Sequence, residues 1–177
     1  MRMLAALKAR FNGADDFCLR ELTAGGQVLY ALFLDGMTSG SDISDFVVRP
    51  LMENLRPGTP EELYAQAQRG AVWCAVCEEA DSAEAAADKL THGYCVVVFP
   101  GLAKALCFEA KSGTRRGPSA PESENTVKGA KDAFTETIRI NTALVRRHLR
   151  TPELRLASKA VGRRTQTNVT VCCIAGL

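Results

Sequence analysis

This chain has no G-x-G-x-x-G or G-x-x-x-x-G-K-[ST] loop, no H-E-x-x-H and no G-x-S-x-G, which removes the commonest nucleotide-cradling, zinc-hydrolase and serine-hydrolase arrangements. Histidine is scarce. With only His92 and His148 present, a nucleophile paired with an imidazole base has little to be built from, so no catalytic residue and no enzyme is expected. His92 stands beside Gly93 at an expected helix C-terminus, where an imidazole meets the last carbonyls. Cysteine is not scarce, but its seven copies form no zinc spacing beyond the lone C-x-x-C of Cys74 and Cys77. In a strand, residues three apart point to opposite faces, so the metal and cofactor expectation is none.

Long apolar runs are missing too. The longest, "YCVVVFPGLAKALCF", is interrupted by Pro100, Gly101 and Lys104 and falls short of the roughly 18 uninterrupted residues of a spanning helix. An odd cysteine count without a secretory apolar stretch near "MRMLAALKAR" indicates reduced thiols in a soluble, cytoplasmic-type setting.

The net charge of +2 conceals a division. Residues 128–164 hold ten Lys/Arg against three Asp/Glu, and residues 1–127 hold twelve against seventeen. The basic part suits an anionic ligand, a membrane surface or a charged partner. It lacks the interleaved aromatics of single-strand nucleic-acid platforms, so nucleic acid is not expected.

Patterning predicts a mixed α+β chain. Phe17 to Thr23 and Val28 to Leu34 read as a hairpin turned at Gly25 and Gly26, which tolerate positive φ. A helix capped by Ser41 or Asp42, kinked or split at Pro50, follows. "AVWCAVC" reads as a strand, "SAEAAADKLTHG" as a helix, and "YCVVVFPG" with "AKALCFEA" as a strand pair. The scattered acids, Asp15 and Asp16 among them, read as caps and solvated positions. The expected organisation is a first α/β lobe over 1–115, a linker over 116–128, and over 129–177 the start of a second lobe made of one long basic helix and one strand. One helix and one strand cannot close two layers around a core, so the second lobe is expected to be truncated, with its last strand an open edge.

The helix is "FTETIRINTALVRRHLR". At about 100° per residue, Phe134, Ile138, Leu144, Val145 and Leu149 form one face with Ile140 at its edge, while Arg139, Arg146 and Arg150 gather opposite. Asn141 lies within the apolar face, where an unpaired amide costs about 1–3 kcal/mol, so it is expected to be buried and bonded outside its own helix. Arg163 and Arg164 precede the last strand. Planar guanidinium forks converging there would suit a carboxylate or phosphate; the alternative is a solvated or partner-facing basic surface.

"VKGAKDAFTETIRINTALVRRHLRTPELRLASKAVGRRTQTNVTV" resembles the hallmark region of the GerA family, the A subunits of spore germinant receptors. Gly129, Phe134, Glu136, Asn141 to Leu144, Arg146, Arg147, Val161 to Arg164 and Thr167 fit its pattern, while Ala130 and Ala133 replace a usual proline and glycine. A SpoVAF-like relative shares the architecture. The resemblance implies the N-terminal soluble region, two α/β lobes around a cleft, of a membrane protein of the spore inner membrane. It also implies B and C subunits as partners, a small nutrient ligand such as an amino acid or sugar, and room for a homo-oligomer through the full-length protein. The role implied is sensing or relaying nutrient binding to trigger germination; the alternative is an interaction scaffold whose cleft stays empty. In the ligand arrangement Arg139, Asn141, Arg146, Arg163 and Arg164 face Glu122 and Glu124 across the lobe boundary and hold the two ends of a zwitterion. In the rival arrangement the same charges pair internally as a fixed hinge.

Overall fold

The computed structural model describes residues 2–112 and 133–176. Five antiparallel strands form one sheet in the order β1-β2-β4-β5-β3, made of β1 (Phe17–Ala24), β2 (Gln27–Leu34), β3 (Cys77–Ala80), β4 (Tyr94–Val98) and β5 (Ala105–Glu109). The β1–β2 hairpin turns on Gly25 and Gly26, both at positive φ, as the glycine pair predicts.

Helices cover both faces of the sheet. Helix α1 (Arg2–Arg10) and α5 (Ala83–Thr91) cover one face, where Leu7, Phe11, Ala86 and Leu90 pack on Leu32, Leu34, Val96 and Val98. On the other, Val47, Leu51, Leu63 and Tyr64 pack on Leu29, Ala31, Val97 and Phe108. Covering both faces explains why all five residues of β4 are buried, the run of apolar residues such a strand requires.

The second covering layer begins with a helical stretch that changes winding. It passes from α2 (Gly40–Asp42) through a π-helical segment (Ile43–Val48) into α3 (Arg49–Asn54). Pro50, at the entry of α3, has no N–H to donate four residues back, and the wide turn sits immediately before it. The winding thus changes just before Pro50 without a break in the helical run, and its cap is Ser39, whose hydroxyl accepts from Asp42 N at 3.3 Å, rather than Ser41 or Asp42. Helix α4 (Pro60–Gln66) starts with a capping box between Thr59 and Glu62 and ends in a second π-helical segment (Ala67–Ala71).

The strand expected at "AVWCAVC" begins only at Cys77. Upstream, the backbone is drawn elsewhere: Trp73 N donates to Phe46 O, and the Cys74 thiol donates to Glu109 O at 3.2 Å. Cys74 thus lies outside the strand, and burial pushes the Cys77 thiol up to about 11. Helix α5 closes at His92, with Nδ1 2.8 Å from Asp88 O, followed by Gly93 at φ 83.

In the basic half, α6 (Ile138–His148) is followed by β6 (Leu154–Val161) and β7 (Thr167–Ile174), an antiparallel two-stranded sheet. Sequence patterning missed β6, because only Leu154 and Leu156 of its eight residues are buried. The expected linker, 116–128, lies outside the described residues.

Helix α6 corrects the expected orientation. Phe134, Ile140 and Leu149 are exposed, whereas Ala143, Leu144 and Arg146 are buried. Much of the basic side is the docked side. It meets the turn after β2, where Gly36 at φ 80 leaves so little room that an added Cβ would lie 2.9 Å from Ala143 Cβ. Gly36→Ala is expected to lower stability by about 1–3 kcal/mol through strain and overpacking. Gly26→Ala, also at positive φ but with nothing within 4 Å, should cost less; equal losses in urea unfolding would show that α6 does not press on Gly36.

Candidate functional site

The geometry at α6 starts from the β1–β2 register. Phe17 pairs with Leu34, so the residues just outside the ladder, Asp16 and Asp35, stand side by side, and Asp35 N donates to Asp16 O at 2.8 Å. Two carboxylates at one hairpin end repel unless countered by cations. Helix α6 supplies them seven residues apart, two turns along one face.

Arg146 is fully buried. Its Nε and Nη2 donate to Asp16 Oδ2 and Oδ1 at 3.0 and 2.8 Å, Nη1 donates to Thr151 O at 3.0 Å, and Nη2 also reaches Leu154 O at 3.2 Å. Burial pushes the Asp16 carboxyl up from its ordinary value, against the downward pull of the guanidinium. Arg139 grips Asp35 in the same forked way, at 2.9 and 2.5 Å, but its side chain is 60% exposed. The Asp35 hydrogen bonds raise the Arg139 pKa.

Helix and hairpin are joined to the sheet domain by further bonds. Asp15 N donates to Leu156 O at 3.0 Å, Ser158 N to Asp15 Oδ2 at 2.6 Å, and Arg155 Nη2 to Arg10 O at 2.9 Å. Asp15 and Asp16, expected as caps or solvated charges, are instead the receiving groups of this joint. The signal that locates them is the register of the glycine hairpin, which places two acids together beside a strand end.

Asn141 is half-buried rather than buried. Its Oδ1 accepts from Thr135 N and its Nδ2 donates to Thr135 O, both at 2.7 Å. The partner lies outside α6 only because the helix begins at Ile138; it falls within the Phe134 to Arg150 segment expected to be helical, rather than on another part of the fold. The amide holds the helix entry and has both of its functions occupied.

An open cleft of about 760 Å³ lies at the first turn of α6, lined by Thr38, Ser39, Ser41, Asp42, Lys111 and Arg139 among others. Of the expected ligand-binding residues, Arg139 reaches it. Arg163 and Arg164 do not converge with Arg146: they occupy the exposed turn beyond Val161, at the far end of an eight-residue strand whose other end is Leu154, roughly 25 Å away at strand rise. Glu122 and Glu124 lie outside the described residues. Among the described residues, no three His, Cys, Asp or Glu gather to hold a metal, and no helix is long and apolar enough to cross a membrane.

A helix-covered antiparallel sheet with a helix and hairpin bolted to one corner defines a known class of fold. The crystal structure of the N-terminal domain of the A subunit of the Bacillus megaterium spore germinant receptor GerK3 shares it, with a TM-score of 0.71 at 24% identity over 98% of this chain and 63% of that one. The family follows from sequence: residues 5–177 match the Bacillus/Clostridium GerA spore germination protein family, and the chain belongs to it. It is 30% identical over 167 residues to the uncharacterized membrane protein YfkQ of Bacillus subtilis strain 168, covering 94% of this chain and 32% of that protein. It is 29% identical over 159 residues to stage V sporulation protein AF of the same organism, covering 90% and 32%. The chain thus spans about a third of the length of these curated relatives.

The two ion pairs differ in what they support. Arg146→Lys keeps the charge but would leave part of the Asp16 carboxylate and the Thr151 and Leu154 carbonyls without donors, and is expected to cost about 1–3 kcal/mol for each buried acceptor left unsatisfied. Arg139→Lys, in a solvated pair, should cost about 1 kcal/mol or less. Chemical denaturation of both variants checks this, and similar losses would refute the unequal weighting.

Proposed function

We propose that this chain serves as the N-terminal region of a germinant receptor A subunit, relaying nutrient binding toward the trigger for germination alongside B and C subunits at the spore inner membrane. The observation that carries the reading is the joint at α6: a buried Arg146–Asp16 pair beside an exposed Arg139–Asp35 pair that borders an open cleft. A small nutrient carboxylate that draws Arg139 from Asp35 would favour one setting of α6 over another, and that difference in affinity is what shifts a two-state equilibrium. Arg146, Asn141, Arg163 and Arg164 are not part of this ligand set; the first two have internal partners and the last two lie on the distant turn.

A second reading is favoured by the same pairs. Both guanidiniums already hold carboxylates, as a fixed scaffold for docking other receptor subunits would require without any ligand. The sporulation protein AF relative, at 29% identity, represents a third role within the family.

The test is made in spores carrying the full-length protein with Arg139→Lys or Arg139→Gln. Loss of one forked carboxylate contact at a solvated guanidinium, worth up to about 1 kcal/mol, should raise the half-maximal nutrient concentration about two- to fivefold. An unchanged dose response at normal protein level overturns the ligand-linked relay and leaves the scaffold.

A further inference from the structure

We propose that the cleft between Phe46 and Trp73 is a binding site for an organic cation, an alkylammonium or guanidinium group. This inference does not use the Arg139 or Arg146 pairs, although Asp42 lines both this cleft and the one at α6.

Pro50 sets the geometry. It cannot donate to Phe46 O four residues earlier, and that carbonyl is taken by Trp73 N at 3.2 Å instead. The bond draws the backbone of Trp73 against the π-helical segment that carries Phe46. The next residue is held as well, through the Cys74 thiol bonds to Glu109 O and Val76 O. Both aromatic residues are thereby presented from a fixed backbone while staying about half exposed, Phe46 at 49% and Trp73 at 54%. They line a small cleft of about 230 Å³ together with Val47, Cys74, Asp42 and the backbone of Glu109.

The electrostatics select the ligand. Residues 40–81 hold eight Asp/Glu against three Arg and no Lys, so this layer carries a negative field. An indole is the best aromatic face for a cation, and partial desolvation strengthens the attraction. Elsewhere on the same domain the chain satisfies its aromatic rings with its own cations. Lys104 Nζ lies 4.1 Å from the Tyr64 ring centre, and Lys89 and Lys111 lie 4.9 and 5.2 Å from that of Tyr94. Among the described residues no such cation covers Trp73 or Phe46. Asp42, exposed, supplies the carboxylate.

Trp73 is the only tryptophan in the chain, so intrinsic fluorescence reports on this site alone. The protein is titrated with n-butylammonium chloride and with n-butanol, its uncharged counterpart, at constant ionic strength. The expected result is a saturable change in emission with the ammonium and none with the alcohol, abolished in Phe46→Ala and weakened about two- to fivefold in Asp42→Asn, as for loss of one solvated carboxylate contact. Phe46 and Asp42 are exposed, and circular dichroism checks that both variants fold. No saturable change, or an equal response to butanol, overturns the proposal, as does full binding by both variants. Once butylammonium binds, a Gly-Lys-Gly peptide separates the sources: tighter binding than butylammonium assigns the site to a partner's lysine side chain, and equal or weaker binding assigns it to a free amine.

Discussion

A guanidinium removed from water is tolerated only when nearly every donor finds an acceptor, and Arg146 meets that condition with one carboxylate and two carbonyls. Burying the charge costs several kcal/mol before these contacts offset it. The acceptors belong to different parts of the chain. Asp16 precedes β1, Thr151 lies in the reversal after α6, and Leu154 opens β6. One side chain therefore fixes the helix, its exit and the hairpin against the sheet domain at a single point. The buried Leu154 and Leu156 extend that contact, with Arg155 on Arg10 O and Ser158 N on Asp15, and the strand is exposed from Ala157 onward.

The face of α6 that docks is Arg139, Ala143 and Arg146, spaced four and three residues apart along one side. Each member has a matched receiver: Asp35 for Arg139, Gly36 for Ala143, Asp16 for Arg146. A small residue between two arginines lets the helix approach closely while the long side chains reach down on either side. Any side chain at Gly36 would hold the helix off, and at φ 80 glycine is also the residue with least backbone strain. Asn141 adds a separate constraint, joining the helix's first turn to Thr135.

Much of the sheet domain was legible because its signals are local. Gly25-Gly26 marks a hairpin, Tyr94 to Val98 is apolar throughout because both faces are covered, and His92-Gly93 closes a helix. The docked face of α6 was not, because its partners lie 104 and 130 residues away and a run of arginines on a helix ordinarily faces solvent. The strand expected at "AVWCAVC" failed for a related reason: Phe46 O, a long-range acceptor freed by Pro50, takes Trp73 N. β6 was missed because two buried leucines followed by exposed residues make no sustained alternation. Of the candidate site, Arg139 and Arg146 were expected together with Arg163 and Arg164, and only the first two meet carboxylates at the joint; the aspartates that receive them were not legible, because pairing Asp16 with Asp35 requires the hairpin register to be carried one step past the last strand residues.

The two ion pairs of the joint differ in how they respond to their surroundings. Arg146–Asp16 is enclosed, with side chains 0% and 10% exposed, while Arg139–Asp35 is open, at 60% and 42%. Charges in contact with solvent are screened by salt over about 10 Å at 0.1 M, and enclosed ones much less. Water, salt or a competing anion therefore acts first on Arg139. In the relay proposed above, release of Arg139 would loosen the first turn of α6 beside the cleft while Arg146 keeps its four hydrogen bonds and Ala143 its seat on Gly36, so that a small charge rearrangement at one end of the helix would act on a segment anchored at the other.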